Sequence, residues 1–333
     1  MHMKIVVDSA IPFISGLFEP YAEVVYSEGS KISSAMIKDC DALVIRTRTR
    51  CDSKLLEGSR LRLIATATIG TGHIDEDYCR QRGIIVTNAA GCNARGVLQW
   101  VAAVLRHIVL SQGCRPADFR LGVVGVGRVG SLVARYARSW DFEVLECDPP
   151  RQRREEGDFR DFEELLTTCD ILSFHTPLDN TTRHMLNADN IRKMRPNAII
   201  INASRGAVVD NRAVMESGKK YYFDVWEGEP KLDSDILSHS TLATPHIAGY
   251  SKQGKANATA MSVCAVASLF GFPLVGWYPK DVCRTEARDI SWDDMCSTID
   301  DYCDITADCA ELKAHPECFE HQRDNYRYRE EYF

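Results

Sequence analysis

Residues 121–130 read LGVVGVGRVG, in which a short apolar strand runs into the pattern Gly125-x-Gly127-x-x-Gly130. The first glycine permits a tight turn, the second lets the backbone approach a pyrophosphate, and the third lets the next helix pack against the strand. The amino end of that helix then faces the phosphates. The stretch predicts a dinucleotide-binding turn, in which the intervening Arg128 and Val129 also contact the cofactor. A glycine turn that packs a helix without any ligand is the alternative.

An acidic residue stands where such a turn needs one. The next strand is predicted over residues 142–148, and Asp148 lies at its end, 18 positions beyond the last glycine. Its carboxylate can accept hydrogen bonds from the adenosine ribose hydroxyls and would repel a 2′-phosphate, which favours NAD over NADP. Arg151, Arg153 and Arg154 follow closely, so NADP is kept as the alternative.

Short apolar strands alternate with helical segments on both sides of this turn. The predicted strands cover residues 3–8, 41–46, 61–66 and 84–87, and then 121–125, 142–148, 171–175, 198–202, 221–225 and 241–244; helical spacing is seen at 30–40, 93–108 and 251–270. Such alternation is typical of parallel sheets. We predict an α/β protein with two Rossmann-like, doubly wound parallel-sheet domains, formed by residues 1–92 with 251–280 and by residues 93–250. Residues 281–333 are predicted to form a small C-terminal α(+β) domain.

The composition of the 333 residues excludes several classes of protein. Hydrophobic residues make up 45% of the chain, and no apolar run reaches the roughly 18 residues that a bilayer span needs. Residues 281–333 carry 6 Lys/Arg and 15 Asp/Glu while the rest is nearly neutral, so no nucleic-acid partner is expected. The thirteen cysteines are scattered without a CxxC pair, and the chain starts without a signal-peptide pattern. We expect a cytoplasmic protein with reduced thiols, no membrane partner and no metal.

Three polar residues follow later strands of the chain. Arg205 lies in INASRGAVVD, Glu229 in FDVWEGEP and His246 in TPHIAGY. Ligands of an open parallel sheet bind outside the carboxyl ends of its strands, so the three side chains can converge there. Oxidation of a hydroxy acid needs a base for the hydroxyl proton, a carboxylate that orients the base, and a cation for the substrate carboxylate. His246, Glu229 and Arg205 supply these in turn, although each residue taken alone has a structural alternative.

The chain resembles the D-2-hydroxyacid dehydrogenase family over about residues 3–275. The signatures are the internal G-x-G-x-x-G, N-x-[SC]-R-G-x-x-x-D, D-V-x-x-x-E-P and a final T-P-H. Other stretches are similar to one branch of the family, whose substrate carries a phosphate: AAGCNA at 89–94, CDPP at 147–150, EGDFR at 156–160, FHTPL at 174–178, GAVVDN at 206–211 and HIAGY at 246–250. The stretch FEHQRDNYRYRE at 319–330 is similar to the end of that branch's C-terminal dimerisation domain.

The resemblance implies an NAD-dependent enzyme and assigns roles to individual residues. Arg205 and Glu229 are implied to be catalytic, and His246 to donate and accept the proton. Contacts to NAD are implied for Asp148, Thr176, Asp224 and Gly249, and contacts to the substrate for Thr47, Thr68 and Tyr250. The resemblance also implies that the discontinuous domain is a flavodoxin-like substrate-binding domain and that residues 281–333 pair two subunits in a homodimer. The small-molecule partner is implied to be a phosphorylated hydroxy acid.

A phosphorylated substrate needs a cationic pocket. Arg46, Arg48 and Arg50 alternate in IRTRTR just after a predicted strand, and in an extended stretch all three side chains leave on one side. We expect at least one of them to hold the phosphate, with a contribution from residues 323–329. A solvated basic edge is the alternative.

Two features depart from the family pattern. Only 24 positions separate Arg205 from Glu229, so the helix after Asn211 is predicted to be short, and the C-terminal domain is abbreviated. The alternative enzyme is another D-2-hydroxyacid dehydrogenase, such as one that acts on D-3-phosphoglycerate. The alternative from a different class is an NAD-sensing scaffold like the family's transcriptional corepressors. The complete set of catalytic residues favours an enzyme.

Overall fold

The structure, a computed structural model, describes residues 3–333; the first two residues of the predicted 1–92 segment lie outside the described residues. The described chain divides into two compact units. The first comprises the residues up to Asn93 together with Lys252–Arg284, and the second comprises Ala94–Ser251 together with Thr285–Phe333. The residues from Thr285 onward are thus grouped with the second unit, and their separate status as a C-terminal domain stays a prediction.

The described residues form eleven strands and fourteen α-helices. The strands are β1 Lys4–Asp8, β2 Glu23–Ser27, β3 Ala42–Ile45, β4 Leu63–Thr66, β5 Ile85–Asn88, β6 Arg120–Val124, β7 Glu143–Cys147, β8 Ile171–Phe174, β9 Ile199–Asn202, β10 Tyr221–Phe223 and β11 Leu242–Ala243. The helices are α1 Ser34–Ile37, α2 Ser53–Leu56, α3 Glu76–Gln81, α4 Ala94–Ser111, α5 Gly130–Ser139, α6 Pro149–Gln152, α7 Phe162–Thr168, α8 Ala188–Lys193, α9 Asn211–Glu216, α10 Ser234–His239, α11 Lys252–Phe270, α12 Trp292–Tyr302, α13 Ile305–Ala314 and α14 Phe319–Asp324. None of these helices has the length and apolar content that crossing a bilayer requires.

The first unit is built on a five-stranded parallel sheet in the order β2-β1-β3-β4-β5. Strands β3 and β4 are buried along their whole length, because helices cover both faces of the sheet. Alternate residues supply the two faces: Ile5 and Val7 pack with Val263 of α11, whereas Val6 packs with Ile37 of α1. This strand order is the flavodoxin-like one.

Three details of the first unit differ from the prediction. The edge strand β2 was not predicted, because four of its five residues are half-buried and the fifth is exposed, so its sequence lacks a clear apolar pattern. The helix predicted over residues 30–40 is reduced to the four residues of α1 and a short 3-10 turn. The prediction of an extended IRTRTR stretch was wrong: the N–H of Thr49 donates to the carbonyl of Arg46, so the chain turns there.

The second unit is built on a six-stranded parallel sheet in the order β11-β10-β9-β8-β6-β7. The chain passes from β6 to β7 on one side and then returns across β6 to β8 on the other. The carboxyl ends of β6 and β8 therefore form the point at which the strand order reverses, where open α/β sheets bind ligands. The helix after Asp210 is short, as predicted, since α9 has only six residues. The predicted fold class of two parallel-sheet α/β domains with a helical C-terminal region is confirmed.

Within the second unit, the C-terminal helices pack on the sheet-bearing part through aromatic side chains. Trp140 Nε1 donates to the carbonyl of Ile290 at 3.0 Å, and Tyr136 Oη donates to the carbonyl of Arg288 at 2.7 Å. Phe333 is fully buried and lies edge-on to the Trp140 ring. These contacts tie residues 285–333 to helix α5. A role of this region in pairing two subunits stays a prediction.

Asp308 on helix α13 makes stability depend on pH. Burial raises the pKa of Asp308 to about 6, although Tyr326 Oη donates a hydrogen bond to it at 3.1 Å. Because the pKa is higher in the folded than in the unfolded state, the protonated carboxyl favours the folded state. This contribution to stability is complete below about pH 4 and is lost as the pH rises through about 6. We expect Asp308→Asn to be more stable than the wild type by about 2–3 kcal/mol at neutral pH and nearly equal to it below about pH 4. Urea unfolding at both pH values measures this, and a gap that does not change with pH would contradict it.

Candidate active site

Three glycines shape the turn between β6 and α5. Gly125 has φ +85°, and a Cβ at Gly130 would lie 1.9 Å from the Gly125 carbonyl oxygen. A Cβ at Gly127 would meet no heavy atom of the described chain within 4 Å. Between these positions Arg128 is exposed and Val129 is half-buried. Gly130 is thus packed against the end of the strand, whereas Gly127 is open to an approaching ligand, as a pyrophosphate site requires.

Asp148 follows β7 and holds this turn in place. Its Oδ2 accepts from the N–H of Val126 at 2.8 Å, and its Oδ1 accepts from the N–H of Arg151 at 2.9 Å. A carboxylate offers about four acceptor positions, so both oxygens retain capacity for ribose hydroxyls. The Arg151 guanidinium is bound in a fork by Glu155, at 2.7 and 2.9 Å. The charge of Arg151, one of the three arginines that made NADP an alternative cofactor, is therefore already neutralised.

Two buried polar atoms beside the turn have no hydrogen-bond partner within residues 3–333. They are Nδ1 of His175 and Oγ1 of Thr176, in the loop after β8. A Cβ at Gly125 would lie 2.8 Å from the Thr176 side chain, so this loop closes directly against the glycine turn. Burial lowers the pKa of His175 to about 4, and its ring is neutral. Buried polar atoms are nearly always hydrogen-bonded, and a nucleotide bound here would satisfy both. The residues present fit a dinucleotide.

His246 and Glu229 form a hydrogen-bonded pair. His246 Nδ1 lies 2.8 Å from Glu229 Oε2, and Glu229 Oε1 accepts from the N–H of Trp226 at 2.8 Å. His246 adopts φ +59°, held by its own N–H, which donates to the carbonyls of Asp224 and Thr244. Because the carboxylate accepts the Nδ1 proton, Nε2 of the neutral ring carries the lone pair. The side chain of His246 is 29% exposed.

The Glu229 carboxylate stays ionised although it is largely buried. Burial acts to raise the pKa of Glu229, but the hydrogen bond and charge of His246, the Trp226 N–H and the charge of Arg323 together lower it. An ionised partner keeps the imidazole in one tautomer and stabilises the positive charge that the ring acquires on taking a proton. This arrangement suits a base that must accept and return a proton.

Arg205 follows β9 and lies in the same region. A Cβ at Gly206 would lie 2.1 Å from the backbone of Trp226, so the Arg205 loop is pressed against the segment that leads to Glu229. Burial lowers the pKa of Arg205. The charge of Glu229 acts to raise this pKa, and the charge of Arg323 lowers it further. The guanidinium donates from Nη1 to the carbonyl of the preceding residue and forms no ion pair within the described chain. It is a cation available to an anionic ligand.

Asp224 is only 1% exposed and organises the histidine loop. Its carboxylate accepts from Thr244 Oγ1 at 2.6 Å and from the N–H groups of Ile247 and Ala248 at 2.7 and 3.0 Å. Burial raises the pKa of Asp224, although the charge of the histidine and these hydrogen bonds act to lower it. The predicted contacts of Asp224, and of Gly249 in the same loop, with the cofactor stay predictions.

The C-terminal region reaches the same loop, which the sequence signalled only weakly. Arg323 Nε donates to Tyr250 Oη at 3.1 Å. Arg329 Nη2 donates to the carbonyl of Gly96 at 3.3 Å and to those of the two residues that follow His246 at 3.2 and 2.5 Å. Arg329 is therefore held by backbone oxygens, and the contribution of residues 323–329 to phosphate binding stays a prediction. No local pattern could reveal these contacts, since the partners lie far apart in the sequence.

The remaining predicted substrate residues belong to the other unit. These are Arg46, Thr47 and Arg48 after β3 and Thr68 after β4. Arg46 Nη1 donates to the carbonyl of Ala10 at 3.1 Å, and Thr68 Oγ1 lies 2.6 Å from Thr66 Oγ1. The side chains of Thr47 and Arg48 are exposed. Contacts of these four residues with the substrate stay predictions.

Comparison with known proteins agrees with this geometry. Residues 99–248 match the family model of the D-isomer specific 2-hydroxyacid dehydrogenase NAD-binding domain. The chain is 45% identical to the erythronate-4-phosphate dehydrogenase of Azotobacter vinelandii over 81% of this chain and 74% of that protein. It is 39% identical to the enzyme of the same name from Bacteroides fragilis, over 99% of this chain and 97% of that one. The fold is also that of the NAD-bound 3-phosphoglycerate dehydrogenase of Entamoeba histolytica, with a TM-score of 0.68 at 24% identity over 85% of this chain and all of that one.

Proposed function

The chain belongs to the D-isomer specific 2-hydroxyacid dehydrogenase family, and we propose that it oxidises 4-phospho-D-erythronate with NAD. The product is (R)-3-hydroxy-2-oxo-4-phosphobutanoate, formed in the biosynthesis of pyridoxal 5′-phosphate, vitamin B6. The observation that carries the chemistry is the His246–Glu229 pair, with Nδ1 and Oε2 2.8 Å apart, together with Arg205, which forms no ion pair with any described residue. The observation that favours the substrate is the identity of 39% to 45% with two enzymes named for it.

The chain's own residues handle the proton and the charge of the reaction. NAD, when bound, supplies the acceptor for the hydride that leaves C2. His246 Nε2 takes the proton of the C2 hydroxyl, and the ionised Glu229 stabilises the resulting imidazolium. Arg205 binds the C1 carboxylate and polarises the C2 oxygen. The hydroxy acid thus loses a hydride and a proton and becomes the 2-oxo acid.

NAD would be held at the strand-order reversal of the second unit. Gly125, Gly127, Val129 and Gly130 would receive the pyrophosphate, and Asp148 the adenosine ribose. Arg128 would flank the phosphates from the exposed side of the turn. The unsatisfied Oγ1 of Thr176 supports a cofactor contact there.

The first test is an absorbance assay of NADH formation by the purified protein. We expect turnover of 4-phospho-D-erythronate in preference to 3-phospho-D-glycerate. The reverse preference would support the same reaction type but identify the alternative enzyme, which acts on D-3-phosphoglycerate. Turnover of neither substrate would contradict the proposal and leave the NAD-sensing scaffold, which a pull-down with and without NAD would detect.

Substitution of the arginines after β3 tests whether they hold the phosphate. All three arginines lie in the segment after β3: Arg46 donates to the carbonyl of Ala10, Arg48 is exposed, and Arg50 lies 3.4 Å from Asp52. We expect Arg48→Ala to raise the KM for 4-phospho-D-erythronate by about 10-fold, the size of one charge-assisted hydrogen bond. Arg50→Ala is the matched control and should leave KM unchanged. Unchanged kinetics in all three alanine variants would remove this proposal.

We further propose that the protein is a cytoplasmic homodimer paired through residues 281–333. Its partner in the cell would be the small phosphorylated hydroxy acid, without nucleic-acid or membrane partners. The likeness of residues 319–330 to a dimerisation domain supports the pairing, and the acidic character of residues 281–333 argues against a nucleic-acid partner. Light scattering of the purified protein measures the subunit number, and a monomer at micromolar concentration would contradict it.

A further inference from the structure

A second guanidinium lies beside the proposed catalytic residues. Arg323, on helix α14, donates from Nε to Tyr250 Oη at 3.1 Å, and Tyr250 lies four positions after His246. Within residues 3–333 its Nη1 and Nη2 donate no hydrogen bond and form no ion pair, and neither atom is sealed from solvent. A fork of N–H donors is therefore presented next to the site.

The placement of Arg323 is built into the fold. Phe319, at the start of α14, is 1% exposed, and the buried Arg329 fastens the chain after α14 to backbone carbonyls of the histidine loop. The Tyr250 ring packs edge-on against the rings of Tyr326 and Tyr328. These contacts order the guanidinium before any ligand arrives, which reduces the entropy that binding must overcome.

Two cations in this region lack a carboxylate partner. Neither Arg205 nor Arg323 is in an ion pair within the described chain, while Glu229 is taken up by His246 and a backbone N–H. The charges of the two arginines also act against each other, which contributes to the lowered pKa of Arg205 after the larger effect of burial. Partly buried cations without a counterion are costly. A ligand with two anionic groups would neutralise both.

We propose that Arg323, anchored by Tyr250, binds the phosphate of the substrate while Arg205 binds its carboxylate. The carboxylate is bonded to the carbon that loses hydride. We therefore assign it to Arg205, because the Arg205 loop packs against the segment that leads to Glu229. The phosphate, at the other end of the four-carbon chain, suits a guanidinium that can donate two parallel N–H bonds to its oxygens. This inference rests on the proposed function and adds Arg323 to the arginines after β3 as a residue that selects a phosphorylated substrate.

The test compares two substrates that differ only in the phosphate, 4-phospho-D-erythronate and D-erythronate. Arg323→Ala is expected to raise the KM for the phosphorylated substrate by about 10- to 100-fold, as loss of a charge-assisted pair implies. Its kcat/KM for D-erythronate should stay within about 3-fold of the wild type, so that the preference for phosphate collapses. Arg323→Lys, which keeps the charge but not the fork, should fall between the two.

Two controls separate the possible failures. Arg327→Ala removes the same charge from an exposed residue in the same segment and should leave both substrates unaffected. Inorganic phosphate should inhibit the wild type competitively and Arg323→Ala about 10-fold less. An equal loss with both substrates, or no change in KM, would overturn the assignment of Arg323. A wild type that does not oxidise 4-phospho-D-erythronate would instead refute the proposed function, and this inference with it.

Discussion

Replacing His246 with alanine is expected to lower kcat for hydroxy-acid oxidation by about 10²- to 10⁴-fold, the usual contribution of a general base. The variant loses the imidazole that the hydrogen bond to Glu229 orients for accepting the substrate proton. The glycine turn and Asp148 are untouched, so NAD affinity measured by calorimetry should remain within about 3-fold of the wild type. Near-normal turnover would remove His246 from the mechanism.

A second histidine–glutamate pair offers a matched control for this experiment. His184 Nε2 lies 2.7 Å from Glu227 Oε1, an N–O distance close to the 2.8 Å of the His246–Glu229 pair, although it involves the other ring nitrogen. Its side chain is 39% exposed, and no step of the mechanism uses it. His184→Ala should therefore retain most of the activity. A loss equal to that of His246→Ala would mean that the assay reports damage to the fold and not removal of the base.

Gly130→Ala is expected to destabilise the protein by about 3 kcal/mol, at the upper end of the usual cost of overpacking. The added methyl group would lie 1.9 Å from the carbonyl oxygen of Gly125. Because the obstacle is backbone and not the end of a flexible side chain, the helix must move away from the strand. Urea unfolding measures the loss, which should be accompanied by weaker NAD binding.

Gly127→Ala is the contrasting variant in the same turn. The methyl group enters open space, so the free energy of unfolding without NAD should change by less than about 1 kcal/mol. NAD binding should nevertheless weaken by about 10-fold or more, because the pyrophosphate approaches the backbone at this position. Unchanged NAD affinity would contradict the placement of the pyrophosphate. Equal destabilisation by the two alanines would contradict the packing described for the turn.

The parts of the fold that are buried on both faces could be predicted from the sequence. Strands β3, β4, β8 and β9 are wholly buried, so their sequences are short continuous apolar runs that stand out between polar segments. The edge strand β2 has no such signal, because it is held by backbone bonds to a single neighbour. The IRTRTR stretch was misjudged because alternation of residue types does not reveal a turn closed by one backbone hydrogen bond.

The candidate site was predictable where it depends on order along the chain. The glycine turn, Asp148, Arg205, Glu229 and His246 each follow a strand, and strand ends of a parallel sheet meet at one edge. Two other features depend on packing between distant segments: the buried unpaired atoms of His175 and Thr176, and the clamp that Arg329 forms by donating to backbone carbonyls of the histidine loop. Spacing in the sequence carries no information about such contacts.

The clamp formed by Arg329 also bears on the order in which the protein becomes active during synthesis. Its partners lie 81 to 233 positions earlier in the chain. A nascent chain that has emerged as far as helix α11 contains every strand of both sheets, yet it lacks the guanidinium that fastens the histidine loop. Contacts between such distant residues form late in folding, because the chain must first close a long loop. Cofactor binding should therefore precede catalytic competence as the protein folds.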